Sequence, residues 1–169
     1  MHPPFPEPTA AFSSRAEVFL GYLDYFRSVV VAKLQGLSAD ELRSSRLPSG
    51  WTPLSLLKHL TYVELRWLVW GFEGEAVPEP WGDTRNSRWY VSDRESLGDL
   101  VEALRAQAAR SRAVVQAHEL SDVGHPGGRW EGSQPPTLER VLFHLLQEYA
   151  RHVGHLDVVR ELVDGAIGE

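Results

Sequence analysis

The sequence predicts an all-α protein, a four-helix bundle with long connectors between helices two and three and between helices three and four. Three observations predict it. Four long stretches carry apolar residues at helical spacing, opened by capping residues and closed by glycine or a turn. The segments between them are rich in proline and glycine, and no stretch alternates strictly enough to require a sheet. With 169 residues, 43% of them hydrophobic and 24% charged, the chain fits one globular domain over 1–169 that buries a real core.

The first helix is expected from about Phe12 to Gly36. Ser14 and Glu17 stand at capping-box spacing, Val18, Tyr22, Tyr25, Phe26 and Val29 follow at helical intervals, and a glycine ends the run. "LSADELR" has its own Ser38/Glu41 pair and reads as a single helical turn. The second helix opens at "WTPLSLLKHL", with Thr52 as N-cap and Pro53 at the first helical position, where its missing N–H costs nothing, and continues to about Phe72. The connector 73–92 is long for a helix–helix link and either crosses the bundle or carries function. Ser92, with Glu95 completing a capping box, starts the third helix, which runs to about His118. Glycines and prolines keep 119–136 out of a helix, though a short strand fits there. The fourth helix starts near Thr137 and ends at Asp164–Gly165.

Composition narrows the function. A net charge of −6 argues against a general nucleic-acid binder, which needs a basic footprint to displace phosphate counterions. The absence of cysteine removes disulfides, thiolate metal sites and cysteine nucleophiles, and leaves histidine and carboxylate as the strong metal ligands. No run is long and apolar enough for a membrane span, and "MHPPFPEPTAAF" lacks the basic and apolar regions of a secretory signal. A cytoplasmic protein is expected.

The polar residues of the last helix carry the chemistry. "HLLQEYARHVGHLD" places His144, Glu148, His152 and His155 at spacings of four, four and three. At about 100° per residue, Glu148, His152 and His155 fall within roughly 40° of Val141, together with Leu145 and Val159, so they interrupt the apolar stripe. His144 lies at the edge of that stripe, roughly 60° away. In the second helix His59 shares a face with Leu56, Val63 and Trp70. An inward carboxylate or imidazole without a partner costs several kcal/mol, as an order of magnitude, so pairing or a metal must satisfy these groups. Axial spacing sorts them: Glu148 and His152 are about 6 Å apart, His152 and His155 about 4.5 Å, Glu148 and His155 about 10.5 Å. Two sets of three remain open, His59–Glu148–His152 and His59–His152–His155. Such ligands suit zinc with an open fourth position, and also nickel or iron.

At these residues the chain resembles the DinB/YfiT-like superfamily of metal-binding four-helix bundles, and within it the actinobacterial, mycothiol-dependent transferases and isomerases. The resemblance is carried by "WTPLSLLKHLTYVE" at 51–64 and "EYARHVGHLDVVREL" at 148–162. Members place one ligand histidine in the second helix and an H-x-x-x-H or E-x-x-x-H pair in the last. The resemblance therefore implies His59, Glu148 and His152 as ligands of a divalent metal, zinc foremost, with nickel or iron as alternatives. His155, standing where many relatives have glutamine, is either a ligand or a group that orients one.

The function this resemblance implies is transfer of a low-molecular-weight thiol to an electrophilic small molecule through a metal-bound thiolate, or a related isomerisation. With no cysteine in the chain, the sulfur comes from the cosubstrate. The connectors offer Trp81, Arg85, Arg88, Trp89, Arg129 and Trp130 as apolar walls and anion partners of a substrate pocket. The competing readings are a non-enzymatic, stress-associated metal-binding bundle, and a helical interaction module whose Glu148 and His152 pair with arginines. Glu64, Arg66 and Arg151 are expected in solvent or in ion pairs. No residue marks a dimer face, so a homodimer stays open.

Overall fold

The structure, a computed structural model, describes residues 4–168 and is mostly helical. Helix α1 (Arg15–Gln35) is capped by Ser14, whose hydroxyl accepts from the Glu17 N–H at 3.2 Å. The short α2 (Ala39–Arg43) closes the reciprocal Ser38–Glu41 box. Helix α3 (Pro53–Glu64) begins at Thr52 as its capping chemistry requires, with Ser55 returning the bond, and continues without a break into a π-helical segment, Leu65–Phe72. Helices α4 (Leu97–Ala117) and α5 (Leu138–Asp164) follow, and α5 ends on Gly165 in the left-handed conformation, φ 73°.

Two expectations change. The third long helix starts at Leu97, not at Ser92, because Ser96 and Asp99 form the working capping box. Ser92 and Glu95 do bond each other, but in a turn: the Ser92 N–H reaches Glu95 Oε2 at 2.7 Å, and the same carboxylate anchors Lys58 at 2.9 Å. The second box wins because the apolar period Leu100, Val101, Leu104 starts behind it. The connector 73–92 also contains a small antiparallel hairpin, β1 (Thr84–Arg85) and β2 (Arg88–Trp89), pairing Thr84 with Trp89 and Arg85 with Arg88. Asn86 and Ser87 make its two-residue turn at φ 52° and 59°, the left-handed pair that lets such a turn match strand twist. Strands this short leave no alternation to read.

α1 packs on α5 and α3 on α4, while α3 also touches α1, α2 and α5. Leucines and valines from all of these elements form one buried cluster. Being surrounded, α3 has little wet face, so of the two settings expected for Glu64, solvent or an ion pair, the structure gives the ion pair. That residue is fully buried and accepts from Arg27 Nε at 2.8 Å and Nη2 at 2.7 Å, from Tyr149 Oη at 2.5 Å and from Ser111 Oγ at 2.5 Å. Four donors from α1, α4 and α5 thus meet one carboxylate of α3, and its charge is compensated by Arg27. The Tyr149 hydroxyl is held well above its usual range, first by burial and then by the Glu64 carboxylate beside it.

Candidate metal centre

His59 on α3 and Glu148 and His152 on α5 converge, each offering one donor atom, and the three atoms lie within 4.8 Å of one another. Glu148 Oε2 stands 3.2 Å from His152 Nε2 and 3.9 Å from His59 Nε2. Ligands held about 2.0–2.2 Å from a tetrahedral ion would be about 3.3–3.6 Å apart, a range that the 3.2 and 3.9 Å spacings bracket, so small side-chain shifts would close the group on a shared cation. Helical geometry explains the convergence: residues four apart on α5 stack on one face, and α3 lies against that face.

The other nitrogen of each imidazole is engaged. His59 Nδ1 meets Asp83 Oδ2 at 3.0 Å, and Asp83, fully buried just ahead of β1, is gripped by Arg66 through Nη1 at 2.6 Å and Nη2 at 3.1 Å. His152 Nδ1 meets His155 Nδ1 at 3.2 Å. Both contacts act on the ring nitrogen that does not face Glu148, which is how a partner group fixes the tautomer and aim of an imidazole donor. Trp89 of β2 stacks on the His59 ring at 4.1 Å and 20°, and Trp51 lies 6.2 Å from the His155 ring. The hairpin therefore delivers both the carboxylate behind His59 and the indole over it.

Electrostatics follow from this packing. Burial works against a charge on His59, yet its bonds to Asp83 and Glu148 outweigh that and raise its pKa. Burial would raise the Asp83 pKa, but His59 and Arg66 pull it below the ordinary carboxylate range. Glu148 is driven far below that range, first by its bond to His152 and then by His59. His144 approaches the other Glu148 oxygen at 3.5 Å, and burial lowers its pKa. Burial, then His152, lowers that of His155. The cluster is an anionic carboxylate flanked by two oriented imidazoles, the combination a hard or borderline divalent cation needs.

The chain matches the family model described as Mycothiol-S-transferase over residues 18–165. The chain belongs to the mycothiol-S-transferase family. No curated protein matches it. The matched span takes in the whole cluster together with Asp83 and Arg66, so the family region and the candidate centre coincide.

The remaining sequence candidates divide between three places. Trp89 touches the cluster directly, and with Arg88, Trp51 and Ser87 it lines a cavity of about 250 Å³ beside it. Arg85 sits over the Tyr90 ring at 5.2 Å in a cavity of about 440 Å³ shared with Trp81. Arg129 lies over Trp67 at 4.3 Å, and Trp130 donates its Nε1 to Gly71 O at 2.8 Å. His155 lies behind His152 and is not among the three converging donors. Sequence reasoning missed Asp83 altogether and expected Arg66 in solvent or in an ion pair without naming a partner; Arg66 is buried in an ion pair with Asp83. The only available signal was an aspartate in a long connector that also holds tryptophans, which does not single out a residue.

Proposed function

We propose that this chain is a metal-dependent thiol S-transferase built on four long helices acting as one bundle, taking mycothiol or a similar low-molecular-weight thiol and an electrophilic small molecule in the cytoplasm. The observation that carries the reading is the convergence of His59, Glu148 and His152 in a member of this family, with the far nitrogen of each imidazole held by Asp83 or His155. His59, Glu148 and His152 hold the cation, zinc foremost, with His155 orienting His152. A cation held there would act as a Lewis acid that lowers the pKa of a thiol and would so supply thiolate at neutral pH.

The chain's own residues do the rest. Asp83 and Arg66 hold the His59 donor in place, and Trp89 shields it from bulk water with an apolar face. Arg88 and Trp89 wall the adjacent cavity, where the polar part of the thiol cosubstrate fits. Conjugation forms one sulfur–carbon bond. In addition to an activated double bond the thiol proton ends on the substrate carbon, and in substitution it leaves with the displaced group.

The test is elemental analysis of the purified protein, followed by mycothiol consumption with a simple electrophile. Stoichiometric metal that is lost in His59→Ala, with thiol conjugation that disappears alongside it, is the expected result. Retained metal without conjugation to any electrophile would leave a non-enzymatic metal-binding bundle instead.

A further inference from the structure

Among the arginines that the fold buries, Arg27 and Arg66 each rest on a carboxylate. Arg129 does not. It is half-buried, its Nε is sealed from solvent without a hydrogen-bond partner, and among the described residues its guanidinium meets only aromatic faces. Those faces are Trp67 at 4.3 Å and Trp70 and Trp130 at 5.4 Å each. Rings stabilise a cation by their faces but leave its N–H edge without an acceptor. Burial, with Arg66 close by, disfavours the charge further.

The position is built. Trp130 is pinned to the π-helical segment by its bond to Gly71 O. Gly71 also has no room for a side chain: a Cβ there would lie 2.9 Å from Arg129 Cδ, 2.9 Å from the Arg66 carbonyl oxygen and 3.2 Å from Trp130 Cζ2. The widened π segment and a glycine thus seat the Arg129 stem against the helix, where most residues would push it off. The seat adjoins the metal centre, because the Trp67 ring that carries Arg129 packs on His144 at 4.2 Å, and His144 reaches Glu148.

We propose that Arg129, in its cage of Trp67, Trp70 and Trp130, is a carboxylate-binding subsite that selects electrophiles bearing an anionic group. A carboxylate can take the free terminal nitrogens of a guanidinium in a paired, planar contact that a lysine would not reproduce. Assigning the anion to the electrophile rests on the thiol-transfer reading, since mycothiol is an uncharged glycoside amide. The anion site itself does not rest on it.

Two measurements separate these. Tryptophan fluorescence of the purified protein is titrated with succinate and with neutral succinamide. Succinate should give a saturable change and succinamide none, with the succinate affinity at least about tenfold weaker in Arg129→Gln and also weakened in Arg129→Lys and Gly71→Ala. His59→Ala should still bind succinate. If Arg129→Gln binds succinate like the wild type, or if only His59→Ala loses it, the carboxylate belongs to the metal and the proposal fails. Conjugation of mycothiol to acrylate and to methyl acrylate gives the second readout. The acid-to-ester ratio of kcat/KM should fall about tenfold in Arg129→Gln. An unchanged ratio with active enzyme overturns the subsite and spares thiol transfer. Arg129-dependent succinate binding without conjugation to either compound does the reverse.

Discussion

Asp83→Asn is the sharpest perturbation of the candidate metal centre that leaves all three candidate donors in place. Asp83 is fully buried, 3.0 Å from His59 Nδ1, and holds Arg66 through two bonds. Asparagine keeps the shape but removes the charge that makes His59 a stronger donor, and it can present the wrong atom to the imidazole N–H. Partners of this kind typically carry a 10–100-fold effect on metal affinity, about 1.4–2.7 kcal/mol. The variant also strands the buried Arg66 charge, for which a stability loss of about 3–5 kcal/mol is the usual scale. The two effects must therefore be measured separately. A chromophoric chelator competing for zinc at fixed neutral pH gives the affinity, and circular dichroism during heating gives the stability. We expect a folded variant with a lower melting temperature and zinc affinity reduced within that range. If Asp83→Asn folds and binds zinc as tightly as the wild type while His59→Ala does not bind, the role given to Asp83 is wrong.

Other outcomes follow from the same geometry. Glu148→Gln and His152→Ala should each purify with less than about a tenth of the wild-type metal by elemental analysis, since each removes one of three donors. The apparent zinc affinity should weaken on acidification and recover on raising pH, because protons compete for the imidazoles; with the His59 pKa raised by Asp83 and Glu148, the weakening should set in at a higher pH than for an ordinary histidine ligand. Tyr149→Phe should lower unfolding free energy by about 1–3 kcal/mol in denaturant titrations while leaving metal content intact, as it deletes a donor to Glu64. Ser96→Ala should cost about 1 kcal/mol in the same assay, and Ser92→Ala clearly less, because only Ser96 caps α4.

What the sequence made legible was whatever repeats with the helical period. Thr52–Pro53, Ser38–Glu41 and Asp164–Gly165 marked real helix ends, and the phase of Glu148 and His152 put them inside the apolar stripe of α5, where the structure buries His152 and half-buries Glu148. The overlapping boxes at Ser92 and Ser96 show the limit: both satisfy the same spacing, and only tertiary packing of Leu100 and Leu104 decides between them. Hairpin residues had no period to show. Asp83 comes to His59 because a two-strand turn folds the connector back, a contact across twenty-four positions with no local signature.

Glu64 takes the ion-pair half of its expectation, and the packing that puts it there bears on the candidate centre. It lies roughly 140° from His59 around α3, which in a helix with one wet face would be the solvent side. Here α3 has little wet face and Glu64 lies off it, so its carboxylate had to be neutralised by Arg27 and shared with Tyr149 and Ser111. Tyr149 directly follows Glu148, so the same turn of α5 sends one side chain to the His59–Glu148–His152 cluster and the next to the buried Glu64. The consequence is mechanical coupling: α3 and α5 are clamped on both sides of their contact, by Glu64–Tyr149 on one and by the His59–Glu148–His152 cluster on the other. This double contact ties α3 to α5 and sets Glu148 Oε2 3.2 Å from His152 Nε2 and 3.9 Å from His59 Nε2, the convergence on which the metal reading rests.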